Sequence, residues 1–357
     1  MNKIKKISIS LITLVLTLVI FISCSTSVSV SYLKPAKYDL TQYKHLAVAS
    51  MKVVDVPPFS ESFVSVRYDD FEDRLFSGYD NRIAYDVAEE FSQSLYLDLY
   101  KTAFFELVKP EITDIYIDNL KYGVNSLNRL RDLGVQALLI SQIDYFDYQE
   151  YPIIGDYIMI ENPEYTSDPT KPQYIESDQR EVTIMQQSNV KYSYKVVDIF
   201  NGNIIASGSF NKNVNNEVEY EEDLISLPSM KDLYEKALHV GEKQIVEDLS
   251  PQYITTNIKL KKDKNADSYY NLGIEAAKKG SLKVAYDNFN KSWNENNIYS
   301  SGYNSALVLE ALGNRDKAIE RMRKVYNYYN KVEAYEQLQR MQQYEYETNV
   351  AQSQINN

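Results

Sequence analysis

The sequence predicts a mixed α/β layered domain followed by an all-α domain of helical repeats. Three observations support this fold class: strand and helix patterns alternate within residues 44–258, an Asn-Gly pair joins two strand patterns, and a motif recurs at an offset of 33 residues after residue 265. Alternating patterns are typical of helices packed on a sheet, and a fixed period of roughly 20–50 residues indicates stacked repeats.

The elements of the α/β domain follow from the spacing of apolar residues. Val87, Phe91 and Leu95 recur at i, i+4 spacing and predict a helix, and Asn201-Gly202 predicts a tight hairpin turn. The predicted elements are a strand at 44–55, a helix at 82–101, a short strand at 103–108, a helix at 124–133, a strand at 135–148, strands at 185–200 and 204–214, and a helix at 230–249. The Pro-rich insertion at 150–180 predicts a surface flap or irregular hairpin.

Composition excludes several classes of function. With 50 Asp and Glu against 38 Lys and Arg, the chain has a net charge of −12, so we expect no nucleic-acid partner. One Cys and two His are too few for a disulfide framework or an all-N/S metal site. The acidic runs at 69–73 and 217–223 lack the spacing of a calcium loop. We therefore expect no catalytic residue, no metal and no cofactor, and we interpret both histidines as solvent-facing or hydrogen-bonded structural residues.

The N-terminus has the organisation of an export signal. Lys3, Lys5 and Lys6 precede an uncharged apolar stretch at 7–23, which would span about 25 Å as a helix. The lone Cys24 follows at once. This arrangement resembles a bacterial lipoprotein signal peptide, although Phe21 stands where that family usually has Leu.

The lipoprotein resemblance has several implications. It implies that residues 1–23 are removed, that Cys24 carries acyl chains such as palmitate, and that residues 24–43 form the acylated Cys and a tether. It further implies a cell-envelope location, lipid-anchored to the outer membrane on its periplasmic face or at the cell surface. An uncleaved signal anchor and an ordinary secretory peptide are the alternatives.

The α/β region resembles a second family of envelope proteins. A Gly134 turn leads into the strand at 135–148, and a later hairpin contains Asp198 and Gly202. This order resembles the periplasmic domain of the curli-secretion lipoprotein family over about residues 44–251. The resemblance implies an envelope location and assembly in rings, and it implies no enzyme activity. From the residues alone, Asp198 and Gly202 are turn formers.

The repeat begins after residue 265. Gly273, Gly280, Ala285 and Phe289 align with Ala306, Gly313, Ala318 and Met322, each pair 33 residues apart. This pattern resembles the tetratricopeptide repeat, with departures at Ala276 and Asn297. Residues 265–347 are predicted to form the repeats and a capping helix, and residues 348–357 a disordered tail.

The resemblance implies a partner-binding surface on the inner face of the repeats. Its expected contacts are Tyr270, Asn271, Ile274, Tyr303, Asn304 and Leu307. The alternative is that this face docks on the α/β domain or on the capping helix. In the binding interpretation, replacing Tyr270 and Tyr303 with Ala leaves the fold intact but reduces partner recovery.

These observations favour a non-enzymatic, membrane-anchored envelope lipoprotein that binds another envelope protein or peptide through its repeats. The alternative is an oligomeric component of a secretion or transport assembly, and a third interpretation is an enzyme of undetected type. Charge is divided unevenly along the chain. Residues 24–258 hold 20 basic and 38 acidic residues, a net charge of −18, whereas residues 259–357 hold 15 and 12, a net charge of +3.

Overall fold

The computed structural model describes residues 26–53, 62–64, 75–77, 81–118, 126–162, 172–219 and 229–356. The predicted signal peptide and Cys24 lie outside the described residues. The chain divides into two compact units. The helical unit contains Gln252–Ser353 and the segment ending at Pro35, and the α/β unit contains Ala36–Pro251 with Gln354–Asn357. The predicted combination of a mixed α/β domain and C-terminal helices is confirmed.

A mixed sheet organises the α/β unit. Its strands are β2 (His45–Val48), β3 (Lys52–Val53), β6 (Glu106–Val108), β7 (Ala137–Glu161), β8 (Tyr174–Asp198) and β9 (Ile204–Glu219), and a separate pair is formed by β4 (Ser62–Val64) and β5 (Leu75–Ser77). The strand order is β6-β2-β7-β8-β9, and β3 also pairs with β7. β2 is parallel to β6 and β7, whereas β7, β8 and β9 are antiparallel neighbours.

Helices cover both faces of this sheet. They are α1 (Asn81–Lys101), α2 (Pro110–Asp118), α3 (Ser126–Asp132) and α4 (Met230–Leu249). Leu46 and Val48 pack in the cluster that contains the apolar faces of α1 and α4, whereas Ala47 packs with Leu130 of α3. Because side chains alternate along a strand, this division shows that β2 is buried on both sides.

The two long helices agree with the sequence prediction. Val87, Phe91, Leu95 and Leu99 of α1 are buried, as their spacing predicts. The bounds of α4 match the predicted 230–249, and the helix begins with a capping box in which Ser229 and Asp232 bond each other's backbone N–H. The helix α2 was not predicted. Pro110, two residues beyond the predicted short strand at 103–108, occupies the first position of this helix, where its missing N–H costs nothing.

The predicted insertion continues the central strands. β7 and β8 each have 25 residues and pair from Ala137↔Asp198 to Glu161↔Tyr174. The hairpin interpretation of residues 150–180 is therefore confirmed over its described parts, and residues 163–171 lie outside them. β9 pairs with residues 183–197 of β8. In residues 174–182 of β8, the described ladder joins β8 to β7 alone.

The helical unit repeats with the predicted period. Its helices are α5 (Ser268–Lys278), α6 (Leu282–Asn296), α7 (Tyr299–Ala311), α8 (Arg315–Tyr329) and α9 (Val332–Asn356). Gly280 and Gly313 have φ of +74° and +79°, and Asn297 and Asn330 have φ of 52° and 50°. Left-handed residues 33 positions apart therefore end successive helices in the same way. Among the described helices, none is both long and apolar enough to cross a membrane.

The structure corrects both predicted flexible ends. Within the predicted tether, β1 (Ser27–Lys34) pairs antiparallel with β10 (Gln252–Lys259), which the prediction had assigned to the α/β domain. The predicted disordered tail is also wrong, since α9 is helical to Asn356 and buries Ala351 completely. Both segments gain order from contacts with residues distant in the sequence, which a local pattern does not reveal.

Candidate functional site

The structure buries most of the repeat residues that were predicted to bind a partner. Tyr270 and Tyr303 are 3% and 7% exposed, and Asn304 and Leu307 are fully buried. Of the six predicted contacts, only Asn271 is exposed and Ile274 half-buried. Four of the six are therefore buried and expose at most 7% of their surface, so the prediction is corrected for them.

The chain itself occupies this face. The Tyr270 hydroxyl donates a hydrogen bond to the Lys261 carbonyl oxygen (2.6 Å) and accepts one from the Asp263 N–H (2.9 Å). Asn304 bonds both backbone groups of Lys261, accepting from its N–H at 2.8 Å and donating to its carbonyl oxygen at 3.0 Å. The backbone that Tyr270 and Asn304 bind is therefore that of the segment between β10 and α5.

Burial raises the pKa of the Tyr270 hydroxyl above its usual value and the pKa of the Tyr303 hydroxyl to about 12. A tyrosine is already protonated at physiological pH, so burial extends the neutral range of these two hydroxyls to more alkaline pH. We call residues 260–263 and the helix positions that bind them the self-filled face.

An open groove lies between α1 and α4 of the α/β unit. It encloses about 770 Å³. Its floor is apolar, and the lining as a whole consists of Val87, Glu90, Phe91, Ser94, Asp232, Glu235, Lys236, Leu238, His239 and Glu242. These residues follow i, i+3 and i+4 spacing on each helix, which places them in two facing stripes. Four carboxylates in one groove make its lining predominantly acidic.

Glu242 is the most buried of these carboxylates. It is 2% exposed. Its Oε1 accepts a hydrogen bond from the Ser94 Oγ at 2.6 Å, and its Oε2 lies 3.2 Å from His239 Nδ1. A buried carboxylate is tolerated when such partners satisfy it. Glu242 therefore joins α1 to α4 at one end of the groove.

The other end of the groove contains a cluster of three charged side chains. Lys231 Nζ lies 2.6 Å from Glu90 Oε1 and 3.6 Å from Glu235 Oε1. The hydrogen bond from Lys231 holds the pKa of Glu90 below its usual value. Burial, with the adjacent Glu90, raises the pKa of Glu235. One lysine is thus shared by two carboxylates, and the rim keeps an excess of negative charge.

The arrangement of Ser94, Glu242 and His239 differs from a hydrolase relay. In a relay the histidine lies between the hydroxyl and the acid, whereas here the carboxylate lies between Ser94 and His239. The Ser94 proton is directed to a carboxylate, which is a weak base. Within the described ranges, no group of three or more His, Cys, Asp or Glu side chains is arranged to hold a metal ion. The feature that the described groove does show is its acidic lining.

Other predicted residues have structural roles. His239 is hydrogen-bonded to Glu242, and His45 Nδ1 lies 3.2 Å from Glu106 Oε2, so each histidine lies beside a glutamate that the sequence did not identify. Asp198 accepts a hydrogen bond from the Phe200 N–H at 2.8 Å, and Gly202 has a φ of +77°, which confirms the turn interpretation. Residues 69–73 and 220–223 of the acidic runs lie outside the described part of the chain.

The comparisons with known proteins identify no family. No protein-family model matches the chain. No curated protein matches it either.

Solved structures align with the chain at low similarity. The PelC dodecamer from Paraburkholderia phytofirmans is 9% identical, with 63% of this chain and 99% of that chain covered and a TM-score of 0.27. Lipoprotein GNA1162 from Neisseria meningitidis is 12% identical, covers 56% and 96%, and has a TM-score of 0.25. Protein XCC0632 from Xanthomonas campestris is 12% identical, covers 60% and 87%, and has a TM-score of 0.22. TM-scores this low say nothing about function, so the function of this chain has to be inferred from its own residues.

Proposed function

We propose that the chain is a non-enzymatic lipoprotein of the cell envelope, anchored to the outer membrane through acylated Cys24, that acts as an adaptor for another envelope protein. The three lysines, the apolar stretch and the lone Cys of the N-terminus support the anchor. Intact-mass analysis of membrane-extracted protein tests it. We expect a chain that begins at Cys24 and carries acyl chains, and a full-length chain starting at Met1 would contradict the proposal.

The groove between α1 and α4 carries the adaptor proposal. Phe91 and Leu238 offer apolar surface, and Glu90 and Glu235 flank it with negative charge. A segment that matches has an apolar side chain bordered by lysine or arginine, since opposite charges favour both recognition and the rate of association. The groove volume accommodates a few side chains, as a peptide-recognition site requires. The occupant is therefore a basic amphipathic segment of a partner protein.

A defined peptide tests the groove without knowledge of the partner. We expect a peptide of alternating lysine and leucine to bind the full chain in calorimetry, and a glutamate–leucine peptide not to bind. The double variant Glu90→Gln, Glu235→Gln should weaken binding by about tenfold, because two partly exposed ion pairs are lost. The matched control is Glu89→Gln, Glu247→Gln, which changes charge equally on the same two helices outside the groove lining. An equal loss of binding in the control would refute the groove as the site.

The helical unit keeps a narrower part of the proposed binding role. The tetratricopeptide resemblance implies an adaptor surface, and Asn271 and Ile274 are the predicted contacts that remain accessible. The four predicted contacts that are buried support a scaffold role instead, in which the helical unit holds the anchored N-terminal strand.

A free sheet edge favours a second candidate function, an oligomeric transport component. β9 pairs only with β8 in the described ladders, which leaves the outer edge of its 16 residues unpaired there. Long open edges are sites where further strands add. Size-exclusion chromatography with light scattering on residues 25–357 distinguishes the two. A stable ring of many subunits would favour transport, and a monomer or dimer the adaptor.

A further inference from the structure

The anchored end of the chain enters the fold at one place on the helical unit. The Thr26 carbonyl oxygen accepts a hydrogen bond from the Leu260 N–H at 2.8 Å, and Ser27 pairs with Lys259. Cys24 precedes Thr26 by two residues, which span at most about 7 Å. If Cys24 is acylated, as the proposed function states, the bilayer surface lies beside residues 259–264. The inference below rests on that acylation.

The segment at this entry point is basic. Residues 259–264 read Lys-Leu-Lys-Lys-Asp-Lys. Lys259, Lys262 and Lys264 are exposed. The acids nearby are engaged within the chain: Asp263 accepts from Ser300 Oγ at 2.7 Å, and Glu333 pairs with Lys261 at 2.8 Å. Because the four lysines of this segment outnumber Asp263 and Glu333, the net charge next to the anchor is positive, in a chain whose other unit is strongly acidic.

Aromatic residues continue this surface away from the anchor. Lys261 Nζ lies 5.4 Å from the Tyr299 ring, and Lys331 Nζ lies 4.2 Å from it. The Tyr299 ring is 5.2 Å from Tyr329, which is 5.8 Å from Trp293. These residues meet where α6 and α8 end and α7 and α9 begin. The basic segment and the aromatic residues thus form one continuous end of the helical unit.

The outer part of this end is exposed and apolar. Tyr328, whose ring lies 6.1 Å from Trp293, is 64% exposed. Val332 is 70% exposed. Tryptophan and tyrosine favour the level of lipid head groups, and lysines are attracted to anionic lipids. We call residues 259–264 with Trp293, Tyr328 and Lys331 the anchor-side surface.

We infer that the anchor-side surface lies against the anionic head groups of the bilayer that holds the acyl chains of Cys24. Three features agree on this occupant: the point where the chain enters the fold, the positive charge, and the exposed Tyr328 beside the half-buried Trp293. The lipid anchor supplies attachment, and this surface fixes which end of the helical unit faces the membrane. A protein partner on the same surface is the alternative that the test distinguishes.

The test uses the full mature chain with Cys24→Ser, so that binding does not depend on acylation. Vesicles of phosphatidylcholine alone are compared with vesicles in which phosphatidylglycerol replaces part of it. We expect cosedimentation with the anionic vesicles and weak binding to the neutral ones. Trp293 is the only tryptophan in the chain, so quenching of its fluorescence by brominated phosphatidylglycerol reports contact at this surface.

Two matched triple variants localise the contact. The first triple variant should lower the partition coefficient for anionic vesicles by about a hundredfold, because each lysine near an anionic surface contributes about a fivefold factor. Its substitutions are Lys259→Gln, Lys262→Gln and Lys264→Gln. The control is Lys278→Gln, Lys279→Gln, Lys283→Gln, three exposed lysines at the other end of α5 and the start of α6. They lie about 16 Å away along α5, beyond a Debye length of about 8 Å, so we expect less than about a twofold change.

The outcomes separate this inference from the proposed function. Equal losses in both triple variants, equal binding to neutral vesicles, or binding without Trp293 quenching would each overturn the anchor-side surface. If Cys24 is acylated in native protein and the chain does not bind anionic vesicles, the proposed anchor stands and this inference is refuted. If Cys24 is unacylated but vesicle binding depends on the anchor-side lysines, the proposed anchor is refuted and the surface binds membranes without it. Circular dichroism of both variants checks that they fold.

Discussion

The self-filled face of the helical unit and the groove of the α/β unit differ in what occupies them. On the helical unit, Asn304 and Tyr270 bind the backbone of Lys261, so the recognition chemistry is used within the chain. In the groove, Glu90 and Glu235 share one lysine around an open volume of about 770 Å³. Side-chain types suited to recognition therefore indicate a free binding surface only when their hydrogen bonds are not already made within the fold.

The largest expected effect tests whether the self-filled face is closed. Asn304→Ala removes two hydrogen bonds to the Lys261 backbone and leaves its part-buried N–H and C=O without that partner, so the free energy of unfolding should fall by about 3 kcal/mol. Urea unfolding monitored by Trp293 fluorescence measures this within the helical unit.

The exposed Asn271 on α5 provides the control for that variant. Asn271→Ala should change the free energy of unfolding by less than about 0.5 kcal/mol, since surface substitutions away from special features are nearly neutral. If the two variants proved equally mild, Lys261 would not be held by Asn304, and the face would be open to a partner after all.

A smaller effect is expected at Tyr270. Tyr270→Phe keeps the ring but removes the hydroxyl that bonds Lys261 and Asp263, and it should lower the free energy of unfolding by about 1 kcal/mol. The structure reverses the earlier expectation for Tyr270→Ala and Tyr303→Ala, because truncating either buried ring should destabilise the unit. A thermal melt of Tyr270→Phe that matches the parent would show that the hydroxyl is not engaged.

The sequence was sufficient where structure depends on local pattern. The bounds of α4, the Asn201-Gly202 hairpin and the 33-residue repeat follow from spacing and turn chemistry within short windows. It was insufficient where pairing is long-range. Ser29 and Asn257 bond each other across 228 residues, so β1 had the local features of a polar tether.

The groove was missed for the same reason. Glu90 and Glu235 each lie beside an apolar stripe on their own helix, which is typical of any amphipathic surface helix. Only the packing of α1 against α4 brings the two carboxylates to one lysine. The spacing of residues 87, 90, 91 and 94 indicated a mixed apolar and polar face, but the partner helix was not identifiable from it.

The smallest expected effect sharpens the account of the groove through pH. Glu235 has a raised folded-state pKa, so its contribution to stability is present below the pKa of the unfolded chain and is lost as pH rises through the folded value. Glu90 has a lowered pKa, so its contribution is present above the unfolded value and is lost as pH falls through the folded one. The two carboxylates therefore act in opposite directions across the acidic range.

Glu235→Gln should raise the free energy of unfolding at neutral pH, because burial and the adjacent Glu90 disfavour the charged carboxylate. The gain should be a few tenths of a kcal/mol, since the side chain is 43% exposed and solvent screens its interactions. Glu90→Gln should lower it by a similar amount, since the hydrogen bond from Lys231 is weakened. Urea unfolding at neutral and acidic pH measures the sign of both stability changes, and the difference between the two variants should shrink in acid, where both carboxyls are protonated.

Binding of the lysine–leucine peptide should weaken as pH falls, with Glu235 losing its charge before Glu90. An NMR titration in which Glu90 protonates first would show that Lys231 is not shared as described and that the groove has a different charge distribution.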